Sequence, residues 1–363
     1  MQTAAAVLRS TDRPYSLEEL TLDPPGPGEI AIRIVGVGLC HTDLLPRAAQ
    51  SGIPLPLVPG HEGSGVVEVV GSHVQGLAVG DHVVLSFDSC HACANCLQGR
   101  PAYCDTFFPR NMSGRTVDGS TNARDCEGLP VSTRWFGQSS FATRSVVDAR
   151  NAVKVDSALP LELLGPLGCG FQTGAGAVLN SLGVEVGADI VVFGAGAVGL
   201  AAVMAARVAG ASTIVAVDLN RDRLDLARDL GATHVIDGTA DDIARQIRRI
   251  VRGGVDYALD TTGAPRVIAT AIDSLRASGV CGLIGAPAGD VRISATALST
   301  GRTVKGIVEG DAVPRLFIPR LISLWQDGLF PFDRLIEKFA FTDIDAAERA
   351  AIDGKVIKPV LVL

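Results

Sequence analysis

Four cysteines fall within fifteen residues, Cys90, Cys93, Cys96 and Cys104, in the spacing C-x2-C-x2-C-x7-C. Thiolates this close suit a tetrahedral metal. Zinc accepts four sulfurs and then has no open position, so the expected role is structural. Disulfides and a nucleic-acid-binding zinc module are the competing readings, and the second is opposed by neighbours (Asp88, His91, Arg100, Asp105) that form no basic stripe. A looser set comprises Cys40 in Cys40-His41-Thr42-Asp43, His61 in Gly60-His61-Glu62, and Cys169 between Gly168 and Gly170. Two thiolates and an imidazole leave a fourth position for water or substrate, the arrangement of a catalytic zinc. Singly, each is a common packed or hydrogen-bonded side chain. The combination carries the expectation.

A third feature has the pattern of a phosphate-binding turn. Gly194-Ala195-Gly196-Ala197-Val198-Gly199 follows a predicted strand and opens a predicted helix. The glycines at 194, 196 and 199 then serve a tight turn, close approach to a pyrophosphate and helix–strand packing. The helix N-terminus adds partial positive charge. Asp218 ends the next strand, where a carboxylate attracts a ribose 2′-hydroxyl and repels a 2′-phosphate. Leu219 and Asn220 offer no arginine, so NAD is favoured; Arg221 and Arg223, a little further on, keep NADP open. A glycine-rich turn of an ordinary α/β domain is the plainer alternative.

The elements that must position these residues divide the chain. The first third reads as β-rich, with runs at Glu29–Val35, Gly65–Val70 and Val83–Leu85 between Pro and Gly turns. From about residue 170 strands and helices alternate: strands Asp189–Phe193, Thr213–Val217, Thr233–Ile236, Val255–Leu259 and Val280–Ile284, helices Ala197–Ala209, Arg221–Leu230, Asp241–Val251 and one near Arg266–Leu275. That rhythm predicts a doubly wound parallel sheet. The rhythm stops after about Val308, and Val356–Leu363 reads as a strand returning to the first domain.

Composition agrees. A chain of 363 residues suggests two domains, and 41 glycines with 20% charged residues suit an α/β enzyme with buried strands. The net charge of −7 argues against a nucleic-acid partner. Ile190–Ala206 is almost uncharged, but its glycines divide it into strand and helix, so no membrane span is expected. Met1-Gln2-Thr3 runs straight into a strand-like stretch without a secretory leader, and clustered cysteines in such a chain bind metal more often than they pair. A reducing cytoplasm is the expected compartment.

Gly38-Leu39-Cys40-His41-Thr42-Asp43, Gly60-His61-Glu62-Gly63-Ser64-Gly65, the four-cysteine lobe and the Gly194–Gly199 turn together resemble the zinc-dependent medium-chain alcohol dehydrogenases, in order along essentially the whole chain. Within that family the resemblance is closest to the aryl (benzyl) alcohol dehydrogenases, through residues 161–176, 306–311 and 317–320. It implies a GroES-like β-rich catalytic domain (1–169, with 309–363 returning to it) and a Rossmann cofactor domain (170–308). It further implies two zinc ions, a catalytic one on Cys40, His61 and Cys169 and a structural one on Cys90, Cys93, Cys96 and Cys104.

The resemblance also implies the chemistry: zinc as Lewis acid to an alcohol, and hydride passed to the nicotinamide. Thr42 is the expected first proton acceptor, its plainer role being a strand-end hydroxyl. Asp43 would orient His61, and Glu62 would be a transient ligand or a balancing charge. His41 and Lys358 would contact the pyrophosphate (Lys358 being equally a surface charge), Arg223 would stand near the ribose, and Thr173 would pack on the nicotinamide. Relatives often carry a histidine where this chain has Leu45, so the proton leaves by His41 or by ribose hydroxyls and water. Phe87, Trp135 and Phe136 are candidates to line an apolar pocket, with plain core packing as the alternative for each, and residues 105–141, with Arg110 and Arg115, its mouth or a subunit contact. The expected substrate is an aromatic or allylic primary alcohol and its aldehyde. The alternatives are a thiol-dependent formaldehyde dehydrogenase, with Arg110 or Arg115 on the adduct's carboxylates, and a non-catalytic cofactor-binding protein. A homodimer joined at an edge strand near Thr303–Val308 is expected, with a homotetramer as the other possibility.

Overall fold

A computed structural model describes residues 1–48, 50–285 and 289–363. Its contacts separate two units. The first comprises residues 1–169, 313–319 and 333–363, and the second residues 170–312 and 320–332.

The first unit is built on a seven-stranded sheet. Its backbone order runs Ile336–Ala340, Lys358–Val362, Glu29–Gly38, Glu62–Val70, His82–Leu85, Ala152–Val155, with Arg144–Asp148 also paired to Glu29–Gly38. Alternation along Glu29–Gly38 sends Ile30, Ile32 and Ile34 into a core shared with Val67, Phe141 and Leu361. The chain's last strand does return here, antiparallel, with Val360 opposite Gly38. A smaller four-stranded sheet begins with Gln2–Val7 and Ser16–Leu22.

The second unit is a six-stranded sheet, parallel at every pairing. Numbered along the chain its strands lie 3-2-1-4-5-6: His234–Asp237, Thr213–Asp218, Asp189–Phe193, Val255–Asp260, Leu275–Leu283, Thr303–Gly306. This is the dinucleotide-binding order, whose topological switch lies beside the first strand. The membrane-like stretch resolves into strand Asp189–Phe193 and helix Ala197–Ala209. Among the described residues no helix is long and apolar enough to cross a membrane.

The tail differs from the expectation that 309–363 all belongs with the first unit. Residues 309–312 and 320–332 group with the second. The reason is aromatic packing: Phe332 lies 5.4 Å from Phe171 and 5.1 Å from Trp325, and Phe330 and Phe332 are fully buried.

Candidate functional site

Cys40, His61, Glu62 and Cys169 each offer a ligand atom, all within 4.8 Å of one another. Sheet register brings the first three together. Gly38 is the cross-strand partner of Glu62, so the chain leaves one strand toward Cys40 beside the point where it enters the next from His61. Cys40 then caps a short 3₁₀ helix, His41–Arg47. Cys169 arrives through hydroxyl tethers: Ser64 donates to the Leu161 carbonyl (2.6 Å) and Ser86 to the Gly168 carbonyl (2.6 Å). These bonds seat residues 161–168 against two strands, and Cys169 follows directly.

Asp43 organises the cluster. Its fully buried carboxylate accepts from His61 Nδ1 (2.7 Å), the Trp135 indole N–H (3.0 Å) and the backbone N–H groups of Gly60 (3.0 Å) and Cys40 (3.1 Å). With Nδ1 so held, His61 turns Nε2 toward Cys169 Sγ, 3.3 Å away. Burial disfavours the imidazolium, but Asp43 outweighs it and raises the His61 pKa well above the ordinary histidine value. A hydrogen bond with Cys169 holds the Cys40 thiol well below its usual range, against burial. Two poised sulfurs and one imidazole nitrogen at this separation fit a tetrahedral ion with bonds of about 2.0–2.3 Å. Glu62 is the fourth member of the cluster.

Lys358 corrects one of its two expectations: it is not a surface charge. Its buried Nζ donates to both Glu62 oxygens (2.8 and 2.9 Å) and to the Leu39 carbonyl (3.3 Å). The reason is its place at the start of the returning strand, next to Glu29–Gly38. Burial pushes the Glu62 carboxyl up against the pull of Lys358. Burial also disfavours the ammonium, yet Glu62 more than offsets this, and Lys358 titrates above the usual lysine range.

Trp135 and Phe136 pack directly against the cluster. Trp135 is wholly buried and is spent on Asp43, while Phe136 stacks on the His61 ring at 4.4 Å and 26°. Gln138 Nε2 donates to the His61 carbonyl (2.9 Å). Thr42 is half-buried between Cys40 and Asp43; His41 and Leu45 are exposed on the same helix.

The other cysteines also converge: Cys90, Cys93, Cys96 and Cys104 place their sulfurs within 4.8 Å of one another. Cys90 and Cys96 Sγ are 3.9 Å apart, close to the roughly 3.8 Å edge of a tetrahedron with 2.3 Å zinc–sulfur bonds. Backbone N–H groups already face the sulfurs: Cys93 (3.2 Å) and Ala92 (3.4 Å) donate to Cys90 Sγ, and Cys90 N–H (3.2 Å) to Cys104 Sγ.

In the second unit the Gly194–Gly199 turn joins strand Asp189–Phe193 to helix Ala197–Ala209. Gly194 has φ +91°, and a Cβ on Gly199 would meet the Gly194 carbonyl at 1.8 Å, so both are needed by the fold. Gly196 is different. Its φ of −77° suits any residue and a Cβ there would touch nothing within 4 Å, so the open space in front of it fits a ligand's approach. Asp218 accepts from the Ala195 and Asn220 N–H groups (2.6 and 2.8 Å), fixing its carboxylate beside the turn. Arg223 lies in the first turn of the next helix, capped by Asn220. The Thr173 hydroxyl faces Glu309 (3.4 Å), a buried carboxylate at φ +49° that also accepts from Gln172 (3.1 Å).

Two family models match the chain: an alcohol dehydrogenase GroES-like domain over residues 26–157 and a zinc-binding dehydrogenase domain over 197–325. The geraniol dehydrogenase of Castellaniella defragrans is 48% identical over 99% of this chain and 97% of its own length. The chain belongs to the zinc-dependent medium-chain alcohol dehydrogenase family. Among solved structures this dehydrogenase superposes on an alcohol dehydrogenase zinc-binding domain protein from Burkholderia ambifaria (TM-score 0.98, 49% identity, 100% and 99% covered). It also superposes on the benzyl alcohol dehydrogenase of Acinetobacter calcoaceticus (TM-score 0.96, 43% identity, 100% and 99% covered).

Sequence reasoning about this dehydrogenase missed the Trp135–Asp43 bond, the Phe136 stack, the Gln138 tie and Glu309. No spacing signal announces them; three come from the single loop at 134–139, and they need the tertiary fold. Arg110 and Arg115 line a cavity that includes none of the Cys40–Cys169 cluster. Arg110 there is neutralised by Asp88 (3.0 Å).

Proposed function

We propose that this dehydrogenase interconverts aromatic or allylic primary alcohols and their aldehydes with NAD. The observation that carries the catalytic reading is the convergence of Cys40, His61 and Cys169 around one point, with Asp43 fixing the imidazole. Similarity to a geraniol and a benzyl alcohol dehydrogenase supports the substrate class. The Asp218 carboxylate beside the glycine turn supports NAD over NADP.

When bound, zinc would supply Lewis-acid stabilisation to the alcohol's conjugate base, and the nicotinamide would accept the hydride. The chain's own residues do the rest. Cys40, His61 and Cys169 hold the ion; Asp43 keeps His61 in the tautomer that offers Nε2. Thr42, on the same 3₁₀ turn, accepts the hydroxyl proton of the substrate, and exposed His41 passes it outward or contacts the cofactor phosphates. Glu62, restrained by Lys358, balances the site's charge. Gly194, Gly196 and Gly199 admit the pyrophosphate, Asp218 and Arg223 frame the ribose, and Thr173 meets the nicotinamide. The Cys90–Cys104 lobe takes a second, structural zinc, for two per chain. The exposed edge strand Thr303–Gly306 supports a homodimer, which light scattering would test.

The deciding experiment is kcat/KM for benzyl alcohol and geraniol against ethanol, with NAD and then NADP. A preference of about a hundredfold, about 3 kcal/mol of transition-state stabilisation, is expected. Equal or absent turnover, with activity instead on S-hydroxymethyl thiols, would sink this reading.

A further inference from the structure

The turn after the last strand of the second unit's sheet carries a buried carboxylate on unfavourable backbone. Glu309, Gly310 and Asp311 follow strand Thr303–Gly306 and hold φ of +49°, +65° and +52°. Glycine takes this left-handed region without steric cost and glutamate does not, so Glu309 is not there for backbone ease. Strain of this kind persists where the surroundings over-determine it, and it gathers at functional sites. The surroundings here are helix Gly170–Gly176 and the segment Ala177–Leu182 that continues it. The Asn180 amide donates to the Gly310 carbonyl (3.3 Å), and Lys305 Nζ donates to the Ser181 carbonyl (3.2 Å) and to Asp311 (3.4 Å). A Cβ on Gly176 would clash with Gly310.

Two observations give the carboxylate a task. Glu309 is 8% exposed, and its Oε2 accepts from the Gln172 amide (3.1 Å) and the Thr173 hydroxyl (3.4 Å), both neutral donors. Its place in the sheet is the second. A doubly wound sheet takes a dinucleotide across its two halves, outside the carboxyl ends of the strands. Asp218 ends a strand of the first half, the half that takes the adenosine. Glu309 follows the last strand of the other half, on the side left for the nicotinamide. All of these residues belong to the second unit.

We infer that Glu309 selects the charge state of the nicotinamide, acting from behind Thr173. This rests on the cofactor reading above, in which Thr173 meets the ring. The ring is a cation in the oxidised cofactor and neutral in the reduced one. A carboxylate held behind Thr173 attracts the first and is nearly indifferent to the second, in surroundings where water screens little. Glu309 is therefore a positioning residue with an electrostatic consequence. It makes the enzyme hold the oxidised cofactor more tightly than shape and hydrogen bonds alone would.

The test is calorimetric titration of the zinc-loaded full chain with NAD and with NADH; NADP and NADPH carry the same ring and serve equally. Wild type is compared with Glu309→Gln, which keeps an oxygen for both hydrogen bonds and loses the charge. The Kd for NAD is expected to rise about tenfold and the Kd for NADH to stay within about twofold. Glu309→Asp and Glu309→Asn supply a second pair, tolerant of the left-handed backbone and differing from each other in charge alone. The first should keep the wild-type ratio of the two constants, and the second should lose it as Glu309→Gln does. A ratio unchanged in the neutral variants, or equal weakening of both cofactor forms, overturns charge selection. A ratio lost in Glu309→Asp as well assigns the effect to shape and overturns it too. Wild type that binds no nicotinamide dinucleotide overturns the cofactor reading and this inference with it, so the wild-type titration separates the two failures.

Discussion

The two thiolate clusters of the first unit reach the same kind of ligand set by different routes. The Cys90–Cys104 cluster closes within fifteen residues, and amides of its own loop face its sulfurs. Three of its four cysteines are only partly buried. The Cys40–His61–Cys169 cluster spans the unit: His61 and Cys169 lie 108 residues apart and meet only because two strand ends, two serine tethers and Asp43 place them. The first therefore depends on its metal for order, whereas the second is positioned by the fold around it. A closed local loop suits a structural ion; a preorganised, buried, three-ligand set suits chemistry.

The largest expected effect tests the local cluster. Cys93→Ser should remove the lobe's metal and with it folding free energy on the order of 10 kcal/mol. Zinc content should fall by one per chain and residues 90–111 should become protease-sensitive, while the second cluster keeps its ion. Loss of both ions would break the contrast between them.

Next is the buried pair behind the other cluster. Lys358→Met leaves Glu62 buried without its countercharge, at a cost of about 3–5 kcal/mol in denaturant unfolding. Adding Glu62→Gln should recover most of it. In the single variant the deficit should shrink as pH falls. Burial raises the folded Glu62 pKa above its unfolded value, so the folded state binds the proton more tightly and gains stability as pH drops through that interval. A deficit independent of pH would place the damage elsewhere.

Asp43→Asn keeps the shape but removes the charge that organises His61. Zinc affinity or kcat/KM should drop by about ten- to a hundredfold, read by chelator competition and steady-state kinetics. An unaffected variant would mean that the sheet register alone preorganises the cluster. The smallest effect is expected from Leu45→His, on the exposed side of the 3₁₀ helix that carries Thr42. It should move the pH profile of kcat/KM if the proton route passes that position. An unchanged profile assigns the route to His41 or to ribose hydroxyls and water.

Legibility in the sequence followed locality. Helix Ala197–Ala209 and helix Arg221–Leu230 appear at the residues that their patterns indicate, because each is bounded by its own caps: Gly196 and Gly210, Asn220 and Gly231. The strand Glu29–Gly38 runs three residues beyond its expected end, since the extension through Gly36–Gly38 is set by pairing with Glu62–Ser64 and the returning strand. Lys358 is buried against Glu62 and is not the surface charge that is one of its two readings, because a lone lysine near a terminus carries no sign of what it will face.

Residue type and spacing alone determined that four cysteines would form a lobe and that a glycine turn would follow a strand. These features close over a few residues, so local backbone geometry suffices. Tertiary structure decided what stands behind the ligands: Asp43 under His61, Trp135 on Asp43, Lys358 on Glu62 and Phe136 against the imidazole. Those contacts join segments tens to hundreds of residues apart, and a buried polar group takes whichever partner the packed core brings within reach.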